Sequence, residues 1–321
     1  MLRITFLGTA ASRPTVGRNV SAIAVEREGD HLLFDCGEGT QRQMMRYGTG
    51  FTVSDVFFTH THADHLLGLT GLLRTMALQG REASMRLWGP RGTAGVLRDA
   101  VELGLERVPF GVAIHELDAD DRVGREGYDI IAYATRHGTR SLGYVIAEHD
   151  RLGRFNPDRA RDLGVPEGPL FGRLHRGLDI ELGGRTIRAS EVVGPARPGR
   201  KVVYTGDTRP CRATVEISSQ ADVLIHEATF AQDEEDRARL TGHSTAREAA
   251  DVARRADVER LVMTHVSARY ADDPRPLERE ARSVFPRSVV AKDGLVVEVP
   301  FRDTLSGVEV EADSGGVGSI E

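Results

Sequence analysis

Residues 60 to 65 read His60-Thr61-His62-Ala63-Asp64-His65 and directly follow the apolar run Val56-Phe57-Phe58. The apolar run reads as a strand that delivers three imidazoles and a carboxylate into one loop. His and Asp supply the nitrogen and oxygen donors that zinc accepts, with bonds of roughly 2.0–2.2 Å. His60, His62 and Asp64 alternate and so project to one side, while the adjacent His65 can turn to a second ion. The cluster is too dense for one tetrahedral site with an open position, so the spacing predicts two metal ions. A solvated His-rich turn is the bland alternative. Three further donors that recur downstream at strand ends argue against it.

Those donors close strands of their own. Tyr128 to Thr135 reads as a strand that ends at His137, Lys201 to Thr205 ends in Gly206-Asp207, and Leu261 to Thr264 ends in His265. Alone, each would be a polar surface residue or, for Asp207, a turn former. Taken with the cluster they complete two ligand sets. His60, His62 and His137 would hold one zinc, Asp64, His65 and His265 the other, and Asp207 would bridge with its two oxygens. That donor set suits metal-assisted hydrolysis by ions roughly 3.5–4 Å apart. It favours zinc and tolerates manganese or iron.

The rest of the chain reads as strands interleaved with helices. Ile4 to Leu7, Ala22 to Val25, His31 to Phe34 and Val53 to Thr59 are strands, followed by Arg86 to Trp88, Gly143 to Glu148, Val223 to Ile225 and Leu295 to Val299. Gln41 to Tyr47, His65 to Leu78 and Gly92 to Leu103 read as helices, the second with Leu66, Leu69, Leu72, Leu73 and Met76 on its buried face. Thr245-Ala246-Arg247-Glu248 is a capping-box signature for a helix through Arg255, and it leaves His243 just before the helix start. The early meander excludes a purely parallel doubly wound sheet. The pattern predicts an αββα sandwich of two mixed sheets with helices outside, its polar donors gathered at one edge.

At 321 residues, with 40% hydrophobic and 28% charged residues, the composition is that of an ordinary globule. The formal net charge of −6 advertises no general affinity for nucleic acid. Two cysteines, Cys36 and Cys211, build no disulfide framework, which fits a reducing, cytoplasmic setting. No signal-peptide layout opens the chain and no apolar run reaches a membrane-spanning length. Residues 302 to 321 are acidic, Gly- and Ser-rich and free of aromatics, and are expected to be disordered. The catalytic domain is therefore expected over 1–301.

One stretch departs from the acidic body. Residues 151 to 200 hold ten Arg against six acidic residues, a local charge of +4, with nine Gly and five Pro. A basic, Gly/Pro-rich excursion is what a protruding phosphate-binding arm requires. An Arg-rich surface loop is the plainer reading.

The chain resembles the metallo-β-lactamase superfamily, whose signature is H-x-H-x-D-H followed by isolated His, Asp and His at strand ends. Within it the chain is similar to the ribonuclease Z family over roughly residues 1 to 300. The specific pieces are Leu7-Gly8-Thr9, Phe34-Asp35-Cys36-Gly37-Glu38-Gly39-Thr40-Gln41, His226-Glu227-Ala228-Thr229 and His243-Ser244-Thr245. The resemblance implies a tRNA 3′-processing endonuclease that uses two Zn2+ per subunit, acts on precursor tRNA rather than DNA, and works as a homodimer. It implies that residues 151–200 form a flexible arm clamping the tRNA, with Arg173 and Arg176 among its contacts. In the implied mechanism Asp64 ligates and accepts a proton, His243 protonates the leaving oxygen or holds a phosphate oxygen, and Glu227 orients His243. Near the N-terminus, Arg13, Arg18 and Asn19 match the family's substrate loop, but Val16 stands where that loop carries a lysine. Asp35 and Glu38 are expected to fix loops, and Cys36 to be a small buried side chain.

Rival functions use the same metal loop. A phosphodiesterase of small substrates, a lactonase, a thioesterase or an arylsulfatase-like esterase would need neither the basic arm nor the His-Glu-Ala-Thr and His-Ser-Thr pair. A flavodiiron-type oxidoreductase would carry an acidic residue at the position of His62 and a following flavodoxin domain, and this sequence has neither.

Overall fold

The computed structural model describes residues 1–104 and 107–302. Its strands, in order, are β1 (Leu2–Gly8), β2 (Ala22–Arg27), β3 (Asp30–Phe34), β4 (Asp55–Phe57), β5 (Met85–Pro90), β6 (Val112–Leu117), β7 (Arg122–Arg125) and β8 (Tyr128–Ala134). There follow β9 (Leu142–Glu148), β10 (Ile180–Leu182), β11 (Arg185–Ile187), β12 (Lys201–Tyr204), β13 (Val223–Glu227), β14 (Leu261–Thr264), β15 (Ser288–Val290) and β16 (Val296–Glu298). The helices are α1 (Thr40–Tyr47), α2 (Ala63–Leu66), α3 (Gly68–Leu78), α4 (Ala94–Glu102), α5 (Pro157–Asp162), α6 (Pro169–His175), α7 (Arg212–Ile217), α8 (Glu235–Thr241), α9 (Ala246–Ala256) and α10 (Arg275–Val284).

Two seven-stranded sheets carry the fold, in the orders β16-β1-β2-β3-β4-β5-β6 and β15-β14-β13-β12-β9-β8-β7. Each is half antiparallel and half parallel, as the sequence pattern predicts: β16 to β3 pair antiparallel and β3 to β6 parallel. The second sheet repeats this arrangement, antiparallel from β7 to β12 and parallel from β12 to β15.

Alternation along the strands decides the layers. Leu2, Ile4 and Phe6 of β1 meet Tyr144 and Ile146 of β9 and Tyr204 of β12 between the sheets, while Leu7 faces the other way. Outside the first sheet, Met44 of α1, Leu69, Leu72, Leu73 and Met76 of α3 and Leu97 of α4 cover Leu33, Val56 and Leu87. Ala249, Ala250, Val252 and Ala253 of α9, with Leu277 and Ala281 of α10, cover Val203, Leu224 and Met263 of the second sheet. Each fully buried Leu, Val or Phe contributes about 1.5–3 kcal/mol relative to an exposed one. The result is the αββα sandwich.

Two details differ from the sequence reading. The helix expected over His65 to Leu78 is broken into α2 and α3 at Leu67. The break lets Gly68 approach the Gly37 carbonyl so closely that a Cβ there would lie 1.9 Å from the oxygen. The basic excursion is more ordered than a loop. α5, α6 and the β10–β11 hairpin close around Ala160, Val165, Leu174, Ile180, Ile187, Ala189 and Val192, a cluster separate from the other three. Isolated bridges Arg151↔Arg197 and Phe155↔Val193 form its neck. The expected disordered tail lies outside the described residues from position 303 onward. Among the described residues no helix is long and apolar enough to cross a membrane.

Candidate metal centre

The parallel strands β12, β13 and β14 end at one edge of the second sheet, and β8 runs the same way. Their C-terminal ends therefore present His137, Asp207, Glu227 and His265 together, opposite the loop after β4 that carries the histidine cluster. The two sheets meet here because Gly206 has no side chain. With φ +58°, it lets its loop lie where a Cβ would sit 2.6 Å from Thr59. His265 also has positive φ, 55°, an uncommon backbone for a non-glycine residue at a site of converging groups.

All seven predicted donors converge. His60 Nε2 lies 3.0 Å from His62 Nδ1, which is 3.3 Å from His137 Nε2. On the other side, His265 Nε2 is 3.3 Å from Asp64 Oδ2, and His65 Nε2 is 3.6 Å from the same oxygen. Asp207 sits between the two groups, its Oδ2 3.7 Å from His60 Nε2 and 3.4 Å from His65 Nε2, and its Oδ1 3.3 Å from His265 Nε2. His60, His65, Asp207 and His265 are buried, whereas His62 is exposed and opens the site to solvent.

The surroundings assign the tautomers. His137 Nδ1 donates to Gly242 O at 3.0 Å and His65 Nδ1 to Asp35 Oδ2 at 2.8 Å. His60 Nδ1 meets Thr59 Oγ1 at 2.9 Å, and that hydroxyl donates to Asp35. His265 Nδ1 meets Thr229 Oγ1 at 3.0 Å, and that hydroxyl donates to Glu227 Oε2 at 2.7 Å. In these four histidines Nδ1 is thus a donor, which leaves Nε2 aimed at the centre to offer its lone pair to a cation, whereas His62 turns its Nδ1 to the cluster. His65 Nε2 and Asp207 Oδ1 are buried with no hydrogen bond of their own. Buried, unpartnered lone pairs on converging ligand atoms are what a divalent cation would satisfy, so the residues fit one or more such ions.

The charges at the centre are uneven: burial would lower His65, but the Asp207 and Asp35 carboxylates hold it well above the usual imidazole range, so a cation would displace its Nε2 proton. Burial alone would raise Asp207, but the charges of His265, His65 and His60 hold its carboxyl well below the usual carboxylate range. Burial and the neighbouring His65 push His60 in the direction of its neutral, ligating form. Asp64 is likewise held low against burial by the neighbouring His265 and His65 imidazoles, and it accepts the Ser12 N–H at 2.7 Å.

His243 and Glu227 stand beside the donors. His243 Nδ1 donates to Glu227 Oε1 at 2.9 Å, and its ring stacks on His265 with centroids 5.2 Å apart. Burial would lower His243, but the Glu227 carboxylate outweighs it and raises the imidazole to about 9. Glu227 is fully buried and also accepts the N–H groups of Thr208 at 2.8 Å and Ser244 at 3.0 Å. His226 is buried too, but its Nδ1 donates to the Glu227 carbonyl oxygen, and it is not one of the converging donors.

The substrate-loop residues divide. Arg13 is exposed, and Val16 is fully exposed. Arg18, a substrate-loop residue by resemblance, points inward. It is 6% exposed, and its Nη1 donates to Thr9 Oγ1 at 2.8 Å and Ala291 O at 2.6 Å. Asn19 is tied to Glu38 O through Nδ2 at 2.7 Å and to Asp293 through its N–H at 2.6 Å. Arg18 and Asn19 therefore hold the loop's shape. Arg173 and Arg176 are exposed at the end of α6, away from the histidine cluster. Asp35 is the loop-fixing group expected, at positive φ of 56°, with Tyr204 OH also donating to it at 2.8 Å. Cys36 is buried, and burial pushes its thiol up to about 12. Thr59 and Tyr204 were not singled out in the sequence, and Thr229 entered only as the last residue of the His-Glu-Ala-Thr piece. The only signal available was their position at or beside strand ends next to the donors.

Comparison with known proteins agrees with this geometry. A family model described as the beta-lactamase superfamily domain matches residues 30–180 and 183–266. The Ribonuclease Z of Gemmatimonas aurantiaca is 61% identical over 308 residues, spanning 95% of this chain and 98% of that one. The chain belongs to the ribonuclease Z family. The Ribonuclease Z of Myxococcus xanthus is 54% identical, over 94% of this chain and 99% of its own. The crystal structure of human tRNase Z, short form, superposes with a TM-score of 0.68 at 27% identity, covering 93% of this chain and 99% of that one. Ribonuclease Z relatives thus match the arm and the body together, and the described residues take the metallo-β-lactamase fold.

Proposed function

We propose that the protein is a zinc-dependent endoribonuclease that removes the 3′ trailer from precursor tRNA, leaving a 3′-hydroxyl on the tRNA and a 5′-phosphate on the trailer. The observation that carries this reading is the His243–Glu227 pair, 2.9 Å apart, beside seven converging donors in a chain 61% identical to a Ribonuclease Z. His60, His62, His137, Asp64, His65 and His265 would hold two ions with Asp207 between them. Such ions lower the pKa of water and polarise a phosphoryl oxygen.

The residues supply the rest. Asp64, fixed by the Ser12 N–H, is placed to take the proton that attacking water gives up. His243 carries Nδ1–H toward Glu227, so its Nε2 is free to donate a proton to the departing 3′-oxygen as the phosphorus–oxygen bond breaks. The Glu227 carboxylate favours the protonated imidazole that a general acid needs. Exposed Arg173 and Arg176 on the arm and Arg13 beside the site would meet phosphates, which position a substrate without reading its sequence. In a homodimer, one subunit's arm would hold tRNA for the other's active site.

The test is cleavage of a 3′-extended precursor tRNA by zinc-loaded protein with the cut mapped. A cut beside the discriminator base, slowed at least about 10³-fold in Asp64→Ala, supports the reading. Hydrolysis of lactones or small esters with intact precursor tRNA sinks it.

A further inference from the structure

Arg209, two residues beyond Asp207, ties three loops of the site to one another. Its backbone N–H donates to the Arg136 carbonyl at 2.7 Å, next to His137. Its Nη1 donates to the His243 carbonyl oxygen at 2.6 Å and to Glu248 Oε2 at 2.8 Å, and its Nη2 pairs with Glu248 Oε1. Glu248 in turn accepts the Thr245 N–H at 2.9 Å and completes the capping box of α9. The two side chains are only 15% and 18% exposed. None of these contacts reaches the centre where substrate would react.

We infer that Arg209 is the positioning residue for His243, and this rests on the proposed role of His243 as proton donor. His243 lies between Gly242, which ends α8 at φ +76°, and the cap of α9. Glu227 holds the imidazole of His243 at one end, and Arg209 holds its carbonyl at the other. With the His243 N–H also donated to Ala238 O at 2.8 Å, these anchors leave Nε2 a single direction. Loss of the carbonyl anchor frees the backbone at a glycine, and misplacement by about 1 Å can cost roughly 10²-fold in rate. The planar guanidinium is required because three bonds leave it in one fork: two to a carboxylate and one to a carbonyl. A lysine ammonium keeps the charge beside Glu248 without that geometry.

The test uses full-length, zinc-loaded protein and three substrates. They are precursor tRNA and the phenyl and 4-nitrophenyl esters of thymidine 5′-phosphate. Nitrophenolate leaves without a proton, whereas phenolate and a 3′-alkoxide need one. Arg209→Gln is expected to lower kcat on precursor tRNA by about 10²-fold with KM within about 2-fold. The loss should be far smaller on the nitrophenyl ester than on the phenyl ester. Arg209→Lys should recover little of it. In a His243→Ala background, Arg209→Gln should cost less than about a further 2-fold, since the residue it positions is gone. Zinc content and the thermal midpoint should follow the parent.

Equal losses on both esters, full additivity with His243→Ala, or zinc content falling in step with kcat would overturn the inference. Should Arg209→Gln fail to fold, Arg209→Lys carries the same comparisons. A parent that cleaves the phenyl ester but not precursor tRNA refutes the tRNA reading alone, because the ratio of the two esters still reports on Arg209 and His243.

Discussion

Asp35 makes no bond to a reacting atom, yet two of the cluster's histidines depend on it. It accepts from His65 Nδ1, Thr59 N–H and Oγ1, and Tyr204 OH, all of them buried. Asp35→Asn keeps the shape but puts an amide where one of these donors must be accepted. Zinc affinity is expected to fall about 10–100-fold, measured by competition with a chromophoric chelator, with the fold intact by circular dichroism. Unchanged affinity would show that His65 is oriented by other means. At this scale the sequence was legible for the donors and blind to their supports. The six-residue run His60 to His65 carries its chemistry in its spacing. Tyr204 reaches Asp35 from 169 positions away, and no local pattern announces such a bond. Arg18 shows the converse. Its match to the family's substrate loop suggests a contact to substrate, and only its bonds to Thr9 and Ala291 show it turned inward.

Among elements, the arm and the helices at the site were read unequally. The capping box at Thr245 is a local signal, and α9 begins where it says. The helix through 65–78 has a continuous apolar stripe, but the approach of Gly68 to Gly37 breaks it after Leu66, a contact that the stripe does not encode. α10 and the short β6, β7 and β15 were not identified. β6 and β7 are brief and partly exposed, and α10 buries only Leu277 and Ala281. The arm announced itself by charge, whereas its small core did not. Since that core shares no residue with the others, the arm is separable. Replacement of residues 152–196 by a short Gly-Ser linker is expected to raise KM for precursor tRNA at least roughly 10²-fold, through lost phosphate contacts. Hydrolysis of a small aryl phosphodiester should stay within about 3-fold of the parent. If both substrates suffer alike, the arm serves the site's structure and not its RNA.

For the whole molecule, ion pairs join the sheets at points remote from the site. Glu148 of β9 accepts from Arg27 of β2 at 2.9 Å and from Arg200 at 2.7 Å, and its side chain is 4% exposed. Burial alone would raise it, but the Arg200 and Arg27 bonds hold it at about 2, against an ordinary 4.5. A carboxylate with a depressed folded pKa stabilises above its unfolded value and loses that contribution as pH falls through the folded one. Glu148 thus contributes roughly 2–3 kcal/mol above pH 4.5, fading toward pH 2. Glu148→Gln should unfold at lower urea at pH 7, and its deficit against the parent should shrink steadily below pH 4.5. A deficit that does not vary with pH would mean that packing, not charge, holds this junction.

By itself the sequence determined the metal-binding chemistry and the class of fold. Spacing packs four donors into residues 60 to 65, and alternation along β1, β8 and β9 gives each strand a face for the other sheet; both are properties of neighbours in the chain, although Asp64, on α2, faces His265 and not His62 and His137. The tertiary structure alone decided how donors from β4, β8, β12 and β14 share one centre, which histidine nitrogen each offers, and that Arg209 spans three loops. Those are distances between residues far apart in sequence, set by Gly206 lying against Thr59 and by sheets packed face to face.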